Sequence, residues 1–260
     1  MGHERTPFLP RTRHWNALMR QVAGYGSGVP VATITELTLQ NTRARYEELS
    51  RDAAVDAVFG YLVAFAASCR GGNKSGEGGR AGAVSSERLT PLAVVQELRS
   101  RVPGGLGSAE FGQLALSAAA DAVGTWSSMH STGQGSLFDA RAQVNTDWQS
   151  LGSGAGFCEL ARLYFGKLTE RYLRYFLDRA AFATLPDTQA RAGFLREVES
   201  HLDDISKHAF ETAKITQSFA AGWFNKHAGA GSLNATTRRH FLSHAFGKLR
   251  DELRREQEAV

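Results

Sequence analysis

The chain has 260 residues, with 30 Lys and Arg against 26 Asp and Glu, 27 Gly, 6 Pro and 2 Cys. At 42% apolar and 22% charged residues, its composition excludes a collagen-like, a disulfide-scaffolded or a wholly disordered chain. A net charge of +4 permits contact with nucleic acid without requiring it.

Met1 to Pro7 holds no apolar run, so no secretory leader is expected at this end. Helical spacing covers residues 14–22 and ends in the glycine-rich Gly24-Tyr25-Gly26-Ser27-Gly28. Pro30 suits a first helical turn, and the pattern predicts a helix onward through Ile34, Leu37, Asn41 and Tyr46. Asp52 is placed to cap the very apolar segment 53–69. That segment carries Asp56 and Gly60 and falls short of the roughly 20 apolar residues of a membrane span, so a buried core helix is expected.

Residues 70–88 hold six glycines and no core-forming run, which predicts a long flexible loop. Thr90-Pro91 opens the next helix and Pro103-Gly104-Gly105 closes it. Ser108 caps an alanine-rich helix over 109–128. A polar stretch follows to Gly156, with a short helix expected around 138–148. Helices are then predicted over 157–181, 187–227 and 236–256, the second broken by Gly229-Ala230-Gly231. Strand-type alternation is absent beyond Val29-Pro30-Val31. The expected fold is all-α, an irregular multi-helix bundle of six to eight helices with a long Gly-rich loop. It forms a single domain over 1–260, or two subdomains, 1–69 and 89–260, joined by that loop.

The helix over 157–181 is apolar around most of its circumference. Phe157, Ala161, Tyr164, Phe165, Leu168, Tyr172, Tyr175 and Phe176 form a broad face, and Lys167, Arg171, Arg174 and Asp178 form the polar strip. Such a helix is normally central.

Common catalytic signatures are missing. Gly72-Asn73-Lys74-Ser75 lacks the spacing and preceding strand of a phosphate loop, no G-x-S-x-G occurs, and Cys69 and Cys158 form no C-x-x-C. Each cysteine sits in an apolar helical pattern, as a buried thiol would. Two unpaired thiols fit a reducing, cytoplasmic location. The glycine run Gly152-Ser153-Gly154-Ala155-Gly156 frees the chain to enter the aromatic helix, and its amides offer an anion site at that helix's start.

Three constellations remain. Glu197, His201, Asp204 and His208 share one side of a helix, and imidazole with carboxylate suits divalent metals. His201, Asp204 and His208 are the metal candidates, with half-buried packing as the alternative. Arg11, Arg13, Trp15 and Arg20, extended by Arg43 and Arg45, combine guanidinium groups with an aromatic ring, as nucleic-acid surfaces do. The adjacent Trp223 and Phe224 serve either as core or as interface anchors. His240 and His244 point away from the Leu242/Phe246/Leu249 stripe, toward solvent or a partner.

The stretch ARLYFGKLTERYLRYFLDR from Ala161 to Arg179, followed by FAAGWFNKH, resembles uncharacterised all-helical proteins encoded in bacterial anti-phage defence operons. The resemblance covers about the C-terminal 110 residues and implies a subunit of a multi-gene system, with no active site carried over. The leading expectation is therefore a non-enzymatic helical subunit or adaptor that binds other proteins, with no cofactor and no membrane. A DNA- or RNA-binding protein is the alternative, and a metal-dependent hydrolase built on His201 and His208 a further one.

Overall fold

A computed structural model describes residues 12–70, 90–102, 105–132, 145–210, 218–228 and 234–259. The glycine-rich stretch 71–88, Arg11 and the segment 138–144 lie outside them. The described residues form eleven α-helices: α1 (Arg13–Ala23), α2 (Val31–Asn41), α3 (Arg43–Leu49), α4 (Ala53–Cys69), α5 (Pro91–Arg101), α6 (Ala109–Met129), α7 (Trp148–Leu151), α8 (Gly154–Thr184), α9 (Thr188–Phe210), α10 (Phe219–His227) and α11 (Ala235–Glu258). The fold is all-α, with more helices than the six to eight expected. The extended structure among the described residues is a two-residue antiparallel ladder, β1 (Ser131–Thr132) with β2 (Asn145–Thr146).

Capping residues set several starts. Asp52 accepts from the Ala54 and Val55 amides, Thr90 from Ala93 ahead of Pro91, and Ser108 from Phe111. The helix expected from Pro30 through Tyr46 breaks at Thr42. Thr35, Thr38 and Thr42 each turn a hydroxyl back onto the carbonyl four residues earlier, which competes with helical bonding and bends the chain. The long helix expected over 187–227 is also corrected. Ser218 has an extended backbone and its Oγ accepts from the Ala221 amide, so α10 begins anew there. The short helix expected around 138–148 falls mostly outside the described residues; α7, at Trp148–Leu151, follows β2.

Helix α8 sits at the centre, packed against α1, α6, α9 and α10. Its polar strip is ion-paired: Lys167 binds Glu170 on the same helix and Glu199 on α9, Arg171 binds Asp121 on α6, and Arg174 meets Glu170 and Asp178 within α8. All eleven helices contribute to one contiguous hydrophobic cluster. Phe165 sits in it fully buried, ringed by Phe59, Tyr164, Phe210, Phe241 and Phe246.

The glycine run before α8 is a packing device rather than a hinge. A Cβ at Gly152 would stand 2.6 Å from the Arg70 amide nitrogen, and one at Gly156 2.3 Å from the Ser150 carbonyl oxygen. The Gly156 amide, offered above as part of an anion site, donates instead to Ser153 Oγ at 2.9 Å.

Helix α11 crosses α2 beside a cavity of about 270 Å³ lined by Glu36, Gln40, Arg43, Arg250 and Arg254, among others. Glu36 is 5% exposed; Gln40 donates to its Oε1, while its Oε2 has no hydrogen-bond partner. Burial raises its pKa above the usual carboxylate range, against the opposing Gln40 hydrogen bond and nearby Arg254. The folded state therefore holds this proton more tightly than the unfolded chain does, and at neutral pH folding must either bury the charge or take up a proton. Glu36→Gln is expected to raise stability by about 1 kcal/mol at pH 7. The gain should shrink as pH falls and vanish by about pH 3, where the carboxyl is protonated in both states; urea unfolding at pH 7 and pH 3 measures it.

No single helix among the described residues is long and apolar enough to cross a membrane. Helices α3 and α4 reach that length only together, with a 45° bend between them.

Candidate interaction surface

Helix α10 has two faces. Ala220, Ala221 and Phe224 point inward, while Phe219, Trp223 and His227, at i, i+4 and i+8, are half-buried. The helix is anchored at its start: Ser218 caps it and donates to the buried Cys158 Sγ on α8 at 3.0 Å. Helix α11 begins at Asn234, whose Oδ1 accepts from Thr237. It brings Phe241 beneath the strip, with ring centroids 4.6 Å from Trp223 and 5.3 Å from Phe219. His244 stands edge-on to Phe219 at 4.6 Å, and His227 lies beside Trp223. Burial, then Lys248, lowers the His244 pKa, so its ring is mostly neutral at pH 7.

An open groove of about 520 Å³ continues from this strip along α11, past His240, His244, Lys248, Asp251 and Arg255. From His240 to Arg255 it spans about 22 Å of helix. The surface thus offers aromatic faces at one end, two imidazoles in the middle and charges of both signs at the other. That set suits an amphipathic protein segment.

The structure brings Trp223, His240 and His244 onto this surface and removes Phe224 from it. Phe224 is fully buried, stacked on Phe157 at 4.3 Å, because on a helix it points about 100° away from Trp223. Phe219, which borders the site, was hidden inside the longer helix expected there.

The three metal candidates are divided. Asp204 is exposed and paired with Lys207 at 3.1 Å. His201 is half-buried, its Nε2 without a hydrogen-bond partner and its pKa lowered by burial. His208 leaves its own helix and faces Glu252 and Glu256 of α11, 3.6 Å from each. Those two glutamates, one turn apart, are site residues that no reading of the α9 sequence alone supplies.

Of the N-terminal candidates, Arg13, Trp15 and Arg20 lie on α1 and Arg43 and Arg45 on α3, while Arg11 is outside the described residues. Trp15 is 9% exposed and stacked on Phe176 at 5.3 Å, so its face is not open to a base; the burial of α1 against α8 corrects that expectation. Arg43 pairs with Glu47 and Arg45 with Glu110. Arg13 and Arg20 remain exposed, two turns apart on α1.

No family model matches the chain, and no curated protein or solved structure matches it either.

Proposed function

We propose that this protein is a non-enzymatic helical subunit that docks onto a partner protein through α10 and the outer face of α11. The observation that carries the reading is the half-exposed Phe219–Trp223–His227 strip seated on buried Phe241. An aromatic anchor held rigid by the core beneath it, beside a groove one helix long, is the arrangement that captures an amphipathic helix. Residues 161–179 and 219–227, which resemble uncharacterised all-helical proteins of bacterial anti-phage defence operons, make proteins encoded beside this one the first partners to test.

The test is light scattering after size-exclusion chromatography of the protein alone and mixed with those partners, followed by titration of the complex. Trp223→Ala is expected to weaken association about 30-fold, a loss of about 2 kcal/mol. Trp223→Phe, which keeps the contact with Phe241, should retain the fold and lose less. Unchanged affinity in both variants would remove the docking surface.

Nucleic acid is the second reading, supported by exposed Arg13 and Arg20 on one face of α1. It is favoured instead if DNA or RNA binds with a steep salt dependence that Arg13→Ala/Arg20→Ala abolishes.

A further inference from the structure

Where the C-terminal turn of α9 crosses α11, three ligand-type atoms converge: His208 Nδ1, a Glu252 carboxylate oxygen and a Glu256 carboxylate oxygen, all within 4.8 Å of one another. The imidazole nitrogen lies 3.6 Å from each carboxylate. Ligands at about 2.1 Å from a tetrahedral ion stand about 3.4 Å apart, so the two histidine–carboxylate separations need little adjustment.

Two features make this more than a chance meeting of surface groups. The first is charge. Glu252 and Glu256 are an i, i+4 carboxylate pair, which repels, and Glu252 is 9% exposed, so solvent screens it poorly. Arg255 neutralises part of that charge by binding Glu252 Oε1, and a carboxylate has lone pairs enough for both a guanidinium and a cation. The second is His201, two turns before His208 on α9. Its buried Nε2 has no hydrogen-bond partner, and it lies within electrostatic reach of Glu256.

We propose that His208, Glu252 and Glu256 bind one divalent transition-metal ion of the zinc and cobalt class, fastening the end of α9 to α11. One imidazole with two carboxylates is a donor set for such borderline ions. Water fills the remaining position. The inference does not depend on the docking reading, since the site joins two helices of the same chain.

The test uses the full chain without an affinity tag, stripped with chelator, and titrated with Zn²⁺ by calorimetry and with Co²⁺ by visible absorption. One ion per chain is expected, with a low-coordinate cobalt spectrum and a rise in melting temperature that grows with free metal. His208→Ala and Glu256→Gln should each weaken binding by at least about tenfold. His208 is more than half exposed, so its alanine variant should fold, and far-UV circular dichroism confirms this. His240→Ala/His244→Ala should leave the ion bound. No saturable binding overturns the proposal. So does binding that survives His208→Ala, or binding that is lost with His240 and His244 instead.

Discussion

Phe165→Ala is expected to cost about 4 kcal/mol of folding free energy, near the middle of the range for a large aromatic removed from a packed core. The ring is fully buried and lies within 5.0–6.0 Å, centroid to centroid, of Phe59 on α4, Tyr164 on α8, and Phe241 and Phe246 on α11, with Phe210 on α9 at 5.6 Å. Four helices therefore bound the void, and none can move inward without losing its other contacts. Edge-to-face geometry with Tyr164 and Phe246 adds a favourable term beyond burial. Phe182, 75% exposed near the end of the same helix, is the control: its alanine variant should lie within about 0.5 kcal/mol of the parent. Urea unfolding of both variants decides the matter. A loss below about 1 kcal/mol at Phe165 would mean that the core repacks freely.

Asp56→Ala is expected to cost about 3 kcal/mol, the low end for breaking a buried ion pair. Arg238 of α11 grips the Asp56 carboxylate with both arms of its fork, Nε to Oδ1 at 2.9 Å and a terminal nitrogen to Oδ2 at 2.7 Å. Both side chains are largely buried, at 12% and 20% exposed, so salt screens them little. Gly60, one turn along α4, makes room: a Cβ there would stand 3.2 Å from Arg238 Nε. Removing the carboxylate alone takes two hydrogen bonds and the Asp56 charge away from a guanidinium in low-dielectric surroundings. The double replacement Asp56→Ala/Arg238→Met should recover a good part of the loss, because an apolar pair restores packing without charge. A double-mutant cycle measures the coupling; single and double variants as stable as the parent would show that the pair contributes no stability.

Much of the architecture is legible in the sequence because it is written in local chemistry. Asp52, Ser108 and Thr90-Pro91 announce their helices through caps that need only neighbouring amides, and the aromatic circumference of α8 announces its central place. What escapes a sequence reading depends on groups that meet only after folding. The break at Thr42 lies within a continuous apolar period, and Ser218 interrupts a pattern that runs on in phase. The glycines at 152 and 156 read as flexibility, yet their use is close approach to backbone that is distant or out of register. Trp223, His240 and His244 stand out by type and spacing, whereas Phe224, one residue away, belongs to the core. His208 is recognisable as a ligand type, but its carboxylates come from a helix more than 40 residues later.

The ties between the two ends of the chain set a timetable for synthesis. Asp56 finds Arg238 across 182 residues, Tyr25 finds Glu197 across 172 and Tyr46 finds Thr169 across 123. At ribosomal rates of about 5–20 residues per second, α4 waits on the order of ten seconds or more before α11 arrives to cover it. During that interval the face of α4 that α11 will cover stays open to water or a chaperone, while α6 already packs against another side of the helix. The nascent chain, rather than the finished fold, is therefore the state in which this protein is most exposed to aggregation and most dependent on the cell.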